Sequence, residues 1–583
     1  MTHTCHLLPL AVSESCRFKK TYELSIFYYL YYDSRFTYFV FAMAIVSSYS
    51  NKRVLILDDM PEMRSSLRIQ VASLGIDQVA LAANVRDALE HLKIHHFDLM
   101  LCDYYLGGST DGQQFLEYLR TKKIISRSTI VIMITAEQSY ESVITAAECM
   151  PDDYLLKPFT ADAIKVRLDR LLEKKVRLAQ IDKLQDQGRW SEIIPACDEI
   201  LAAKDKYLVD AMRVKGNALI MTRRFDDAVA FYKEALQLRS MPWAKLGLAK
   251  AQQGSGNHEH AKCTLQEIIA ETPRFLAAYD ALGHLHRENG QMEDALKILD
   301  DACVISPNAL ARHRAIAKVA EEASDFGRVE KALKTVLQKT INSPLRDLND
   351  YATLGNALTE LGDHAQAIAV IDEAKKNFKN SDDSPILAST EAIAHHKAGN
   401  ADRARSALAR TMKGGAKALS DTDKIAVAKA YLLHGQHDEA EQMLKHVVQN
   451  TPGQTALHGV VVNLMKVYGA QGKAENFIEE SHAEVIQLNN DAVKIGQSGD
   501  LKAAAAMMRE AAERLPGNLQ ILANASYALL LDMLANGIDA GKLNDANRYR
   551  KLLVSLDQHH PKLDAISEAM AKLQSKFNVS QAS

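Results

Sequence analysis

Arg53-Val-Leu-Ile-Leu-Asp-Asp-Met-Pro61 runs from a basic residue through an unbroken apolar stretch into two carboxylates and a proline. A continuous apolar run of this kind suits a strand buried on both faces of a parallel sheet. Pro61 is well placed for the first turn of a helix. Leu67, Val71 and Leu74 continue that helix at helical spacing, and Gly75 ends it. The same alternation continues down the chain. A second strand is predicted at 79–82, Asn84 caps a helix over 85–94, and a third strand at 98–102 runs into Asp103. A helix over 113–122, a strand over 129–135, a helix over 140–150 and a fifth strand at 154–156 come next, with Lys157-Pro158 after the last. Five strands alternating with helices predict an α/β, doubly wound, five-stranded parallel sheet spanning residues 51–175.

Polar residues gather at the carboxyl ends of these strands: Asp58 and Asp59 after the first, Asp103 after the third, Thr135 at the fourth and Lys157 at the fifth. That edge is where open parallel sheets bind ligands. Three carboxylates meeting there repel one another unless a cation bridges them, and compact oxygen ligands favour a hard ion such as Mg²⁺. With the Lys157 ammonium and the Thr135 hydroxyl, the set could hold a tetrahedral anion attached to one carboxylate.

This pattern strongly resembles the receiver domain of bacterial two-component response regulators, a flavodoxin-like fold. The resemblance implies that Asp103 is the phosphoacceptor, with Lys157 and Thr135 contacting the phosphoryl group. It implies Asp58, Asp59, Asp103 and the backbone carbonyl of Tyr105 as Mg²⁺ ligands. It makes Thr135 and Tyr154 the switch pair, Ala136 the small residue beside the phosphate, and Lys157-Pro158 a cis peptide. One departure is visible: the loop from Tyr104 to Gly112 is one residue longer than the commonest family pattern and lacks its proline.

From Thr160 an amphipathic helix runs through Ile164, Leu168, Leu171 and Leu172, and its pattern continues past Lys174-Lys175. No Pro/Gly/Ser linker intervenes. Either one helix is shared between the sheet domain and the C-terminal region, or the helix ends there in a frayed turn. Beyond it the chain repeats. Tyr279, Leu282, Gly283, Gly290 and Ala295 share their spacing with Tyr351, Leu354, Gly355, Gly362 and Ala367. Further copies centre on Gly216, Gly399, Gly435 and Gly499, and one on Gly247 fits with two extra residues after Gly254. Small residues let paired helices approach closely, and proline stops the second helix. The pattern resembles the tetratricopeptide repeat (TPR), which implies an all-α solenoid of about nine to eleven repeats over 176–570, with 571–583 as a tail. The copies near 181–206, 310–340, 460–485 and 525–560 are degenerate.

The 583 residues include 70 Lys+Arg against 73 Asp+Glu, and basic and acidic residues balance over 174–583. Such an array has no electrostatic footprint for nucleic acid, so none is expected as partner. Glycine (27) and proline (13) are scarce, as a mostly helical chain requires. Seven cysteines with no CxxC pair point to reduced thiols, and Cys102 and Cys149 to buried packing. The histidine pairs His258-x-His260, His395-His396 and His559-His560 lack companion ligands and are assigned to repeat turns and helices, not metal sites. Met465 and Met507-Met508 are assigned to core filling. Residues 1–50 differ from the rest. Their aromatic run is interrupted by Asp33 and Arg35, which argues against a membrane span, and no cleavage signal is present. The expected start is Met43, with 1–42 an upstream extension; a membrane anchor is the alternative.

Together these features predict a cytoplasmic phosphorelay response regulator, not an enzyme beyond its own phosphotransfer. It would take a phosphoryl group from a sensor histidine kinase or phosphotransfer protein, and its TPR array would bind an unidentified protein partner. The alternatives are a constitutive scaffold, a phosphate sink, and a direct nucleic-acid regulator.

Overall fold

A computed structural model describes residues 49–577, apart from 50, 108–109, 137–150, 342, 380–383, 412–418, 469–473, 475 and 558–559. The expected helix over 140–150 and the expectations for residues 1–42, Met43 and Cys149 lie outside the described residues.

Strands β1 (Arg53–Leu57), β2 (Gln78–Ala82), β3 (Leu99–Asp103), β4 (Ile130–Thr135) and β5 (Asp153–Leu156) form one parallel sheet in the order β2-β1-β3-β4-β5. Every predicted strand is present to within one residue. Val54, Leu55, Ile56 and Leu57 are fully buried, as their unbroken apolar run requires. Alternate strand residues feed two cores. Val54, Ile56, Leu101 and Ile132 meet α1 (Pro61–Ser73) and the start of α4 (Ala161–Asp186). Leu55, Leu57, Met100 and Met133 meet α2 (Val85–Ile94) and α3 (Gly112–Thr121). The chain reverses its winding between β1 and β3, which opens a crevice at their carboxyl ends. Cys102 is buried in this core, as expected.

Helix α4 decides the open question of the junction. Thr160 caps it through a bond from the Ala163 N–H at 3.3 Å, and it then continues unbroken to Asp186, through the boundary expected at 175. Ile164, Leu168 and Leu171 pack on the sheet, whereas Leu178, Ile181 and Leu184 pack on α5 (Trp190–Ala202). Lys175 fixes the crossing point by pairing with Asp152 at 2.9 Å and donating to the Arg127 carbonyl at 2.5 Å.

Antiparallel helix pairs continue the chain. The first helices of successive pairs begin at Leu208, Pro242, Leu276 and Leu310, a strict 34-residue period. This corrects the copy around Gly247. Its helix Pro242–Gly254 has the same 13 residues as Leu276–Glu288, so there is no insertion. Gly256, not Gly254, occupies the left-handed turn position of Gly290, with φ of +82° and +75°. The degenerate copy at 310–340 is a regular pair, Leu310–Glu322 and Phe326–Lys339, because Ala317 stands where Gly283 does and Ser324 adopts the left-handed turn at φ +58°. Close approach is visible at Tyr232, whose ring lies where a Cβ on Gly216 or Gly247 would come within 2.4 and 2.1 Å. Two other degenerate copies differ in form. One is Phe477–Gln497, a 21-residue helix, and the other has long helices at Leu519–Asn536 and Ala540–Leu556. The last helix, Leu563–Phe577, packs Ile566, Ala569 and Leu573 on the array, so the tail expected from 571 is helical as far as Phe577. Met465 and Met508 are buried core residues.

The sheet domain also touches the array far from α4, through α3. Tyr118 of α3 packs against Leu310, Val336 and Leu345.

Candidate functional site

The crevice between β1 and β3 collects the acidic residues. β1 delivers Asp58 and Asp59, and Asp103 closes β3. One oxygen from each of the three lies within 4.8 Å of the others, the only such group of potential metal ligands among the described residues. Asp58 is fully buried, Asp103 nearly so, and Asp59 is exposed. Three hard oxygen donors at this spacing, one of them open to solvent, suit a divalent cation that keeps some of its water. The histidine pairs join no such group among the described residues.

Asp58 is oriented by its own turn. Its Oδ1 accepts from the Met60 N–H at 2.9 Å, and its carbonyl accepts from Arg64 at 2.6 Å. Lys157 reaches across from the end of β5. Its Nζ donates to Asp103 Oδ2 at 2.9 Å and to Asp58 Oδ2 at 3.2 Å. Burial pushes the Asp103 carboxyl up to about 6, against the lowering effect of the Lys157 hydrogen bond and charge. Burial pulls Lys157 down, but its bonds and charge interactions with Asp103 and Asp58 outweigh that and leave it raised. Lys157 therefore stands as a full positive charge against the cluster.

The Lys157–Pro158 peptide is cis, as expected. Thr135 is buried at the end of β4, and its carbonyl accepts from the Lys157 N–H at 2.8 Å, which places both residues on the same edge. Ala136 is exposed beside it. Tyr154 lies inside, 5% exposed, in the core with Cys102 and Met133. Tyr105 sits in the turn after Asp103 with its ring exposed and set edge-on to Tyr104 at 5.0 Å.

Two glycines complete the crevice without having been singled out from the sequence as site residues. Gly107 adopts φ +62°, and a Cβ there would lie 2.3 Å from Asp59 Oδ2. A Cβ on Gly112 would lie 2.2 Å from the Asp103 carbonyl oxygen. Their signal was the glycine content of the long loop.

Two parts of the chain resemble known protein families. Residues 54–169 match the model of the response regulator receiver domain, and residues 219–285 that of a tetratricopeptide repeat. Chemotaxis protein CheY-3 of Vibrio cholerae is 33% identical over 124 residues, 21% of this chain and 94% of its own length. Chemotaxis protein CheY of Pseudomonas aeruginosa is 30% identical over 122 residues, 21% of this chain and 97% of its own. Among solved structures, a Francisella response regulator receiver domain is 29% identical, with TM-score 0.20, covering 21% of this chain and 99% of its own. A tetratricopeptide repeat protein from Parabacteroides merdae is 12% identical, with TM-score 0.33, covering 50% of this chain and 98% of its own. No helix among the described residues is long and apolar enough to cross a membrane. With its acidic crevice at the switch point of a five-stranded parallel sheet and a helical repeat array behind it, the chain belongs to the response regulator receiver family and joins that domain to tetratricopeptide repeats.

Proposed function

We propose that the chain is a phosphorelay response regulator whose output is protein binding. The observation that carries this reading is Lys157 Nζ held at 2.9 Å from Asp103 and 3.2 Å from Asp58, with Asp59 in the same cluster. An Asp103 oxygen attacks the phosphorus of a phosphohistidine on a sensor kinase or phosphotransfer protein. The new O–P bond forms as the P–N bond breaks, and the departing imidazole takes up a proton. Asp58, Asp59, Asp103 and the Tyr105 carbonyl would hold Mg²⁺, which supplies positive charge against the phosphoryl oxygens. Lys157 adds a fixed charge on the same side, and the Thr135 hydroxyl donates to a phosphoryl oxygen once Asp103 is modified. Thr135 and Tyr154 form the pair whose rearrangement carries the change to the surface. The chain performs no catalysis beyond accepting and losing this group. A cytoplasmic location follows from the kinase that would feed it. The array then serves a protein partner, since its balanced charge offers phosphate backbones no footprint.

Radiolabelled acetyl phosphate tests the acceptor. The wild type takes label with Mg²⁺ and takes none when a chelator is present from the start, and Asp103→Asn takes none in either case. Equal labelling of wild type and variant overturns the assignment. For the output, partner recovery is compared with and without beryllofluoride, and equal recovery refutes phosphorylation control of binding.

A further inference from the structure

Helix α2 carries charges that its own fold does not use. Arg86 stands in its first turn and Lys93 in its last, two turns apart on one face and about 10 Å apart along the axis. The helix carbonyls stabilise a cation in the last turn, but a cation in the first turn opposes the helix dipole. Both residues are exposed, and neither makes an ion pair or a side-chain hydrogen bond among the described residues. Glu90, one turn from each, forms no ion pair with either. This face borders a cleft of about 370 Å³, closed on the other side by the array. Arg346, in the turn before the helix Leu348–Glu360, lines it with a side chain only 12% exposed. The Arg346 guanidinium lies 5.1 Å from the centre of the Tyr351 ring and donates to Glu373 at 2.9 Å, while its Nε has no acceptor. Glu373 is half exposed, so solvent weakens its answer to that charge. Ser343 Oγ, in the same wall, accepts from the Thr110 hydroxyl at 2.5 Å and from the Leu345 N–H at 3.1 Å, which leaves its own proton for a third group.

The lining thus sets three cations and a hydroxyl donor against one carboxylate, Glu90. Like charges facing one another across a cleft cost energy unless an anion lies between them. Donors that approach from two sides suit a tetrahedral oxyanion, which has more acceptor oxygens, pointing in more directions, than a planar carboxylate. Leu89, Pro344 and Phe378 supply the apolar part of the wall, and Phe378 is itself held edge-on to Tyr351 at 6.0 Å. An apolar wall beside a cluster of donors fits a ligand with an organic part beside its charged group. The volume is at the small end of the range for small-molecule sites. No residue of this cleft belongs to the acidic crevice of Asp58, Asp59 and Asp103.

We propose that this cleft binds a small phosphorylated organic molecule. Arg86, Lys93, Arg346 and the Ser343 hydroxyl hold its phosphate, and Leu89, Pro344 and Phe378 pack on its organic part. The bound anion turns repulsion between α2 and Arg346 into attraction, so it tightens the contact between the sheet domain and the array. The site stands whether or not Asp103 accepts a phosphoryl group.

Calorimetric titration of the full chain with phenylphosphonate tests the site. The phosphorus group of this probe cannot be transferred, and a chelator keeps divalent cations out of the acidic crevice. The wild type is expected to bind it saturably, and more tightly than it binds inorganic phosphate, which has no organic part. Arg86→Gln and Lys93→Gln alter exposed side chains, and each weakens binding about tenfold, the loss of one charge-assisted contact. Lys122→Gln, an equal loss of exposed charge just after α3, leaves binding unchanged. Absence of saturable binding overturns the site, as does wild-type affinity in both α2 variants or an equal loss in Lys122→Gln. Equal affinity for inorganic phosphate and phenylphosphonate overturns the organic part of the ligand. Tighter binding of a phosphoserine peptide overturns the small molecule in favour of a phosphorylated protein. Hydrogen–deuterium exchange in peptides covering 343–351 is expected to fall with phenylphosphonate in the wild type and not in Arg86→Gln. Unchanged exchange in the wild type overturns the tightening of the contact.

Discussion

At the scale of single residues, the site depends as much on absent side chains as on present ones. Asp58 and Asp103 are set by strand ends, and any fold of this class delivers them there. Gly107 and Gly112 do something the carboxylates cannot, because they let the loop close down on the acidic crevice. In Gly107→Ala a methyl group would meet Asp59 Oδ2 at 2.3 Å in a left-handed backbone, so the exposed carboxylate must swing away. The expected outcome is an Mg²⁺ affinity reduced by about tenfold, one ligand displaced but not deleted, with the fold retained. Titration of Mg²⁺ by calorimetry beside a circular dichroism spectrum checks this, and unchanged affinity refutes the role given to Gly107. The carboxylates and Lys157 were legible in the sequence because each terminates an apolar run. The glycines were not legible as site residues, since a glycine announces a permitted backbone but not the neighbour that requires it.

At the scale of elements, the shared helix α4 is the most consequential. Its two ends belong to different cores, and a continuous α4 is expected to couple the unfolding of the sheet to that of the first repeat. Val176 lies near its middle and is 74% exposed, so replacing it changes the backbone and almost nothing else. Val176→Pro is expected to remove about 3 kcal/mol from the helix and to split one cooperative thermal transition into two. Differential scanning calorimetry reads this directly, and one undivided transition at the wild-type temperature would count against coupling through α4. The sequence pattern ran through the expected boundary at 175 but left the helix end open, because helical periodicity is the same whether a helix stays packed or frays. Lys175 settles the matter by contacting Arg127 and Asp152, residues remote in sequence. The repeat register shows the same limit. Glycines at 247 and 254 imitated the motif, and only the equal length of successive helices revealed that Gly256 is the turn residue.

At the scale of the whole molecule, the array is not purely a stack of nearest neighbours. Asn450 accepts from the Gly517 N–H at 2.7 Å, and Asn518 donates to the Gln449 carbonyl at 2.7 Å, passing over the helix at Thr455–Tyr468. The C-terminal part is therefore pinned to the middle of the array, and its outer face is closed by Leu563–Phe577. Removing residues 561–583 exposes the apolar face of Leu519–Asn536 that Ile566 and Leu573 cover. The expected result is a loss of a few kcal/mol, about 2–4 kcal/mol for the large apolar side chains uncovered, together with a tendency to associate. Denaturant unfolding and light scattering check it, and an unaltered midpoint refutes the capping role.

The sequence alone determined the five-stranded sheet, the acidic edge with Lys157, and the existence of a helical repeat array. Those features are written locally, in apolar runs ending on charges and in small residues at a fixed period. Tertiary structure alone decided that α4 is continuous, that the turn glycine is Gly256, and that α3 sits on the repeats. Thr110 and Ser343 lie 233 positions apart and carry no shared pattern, so their meeting depends on the summed curvature of every helix pair between them.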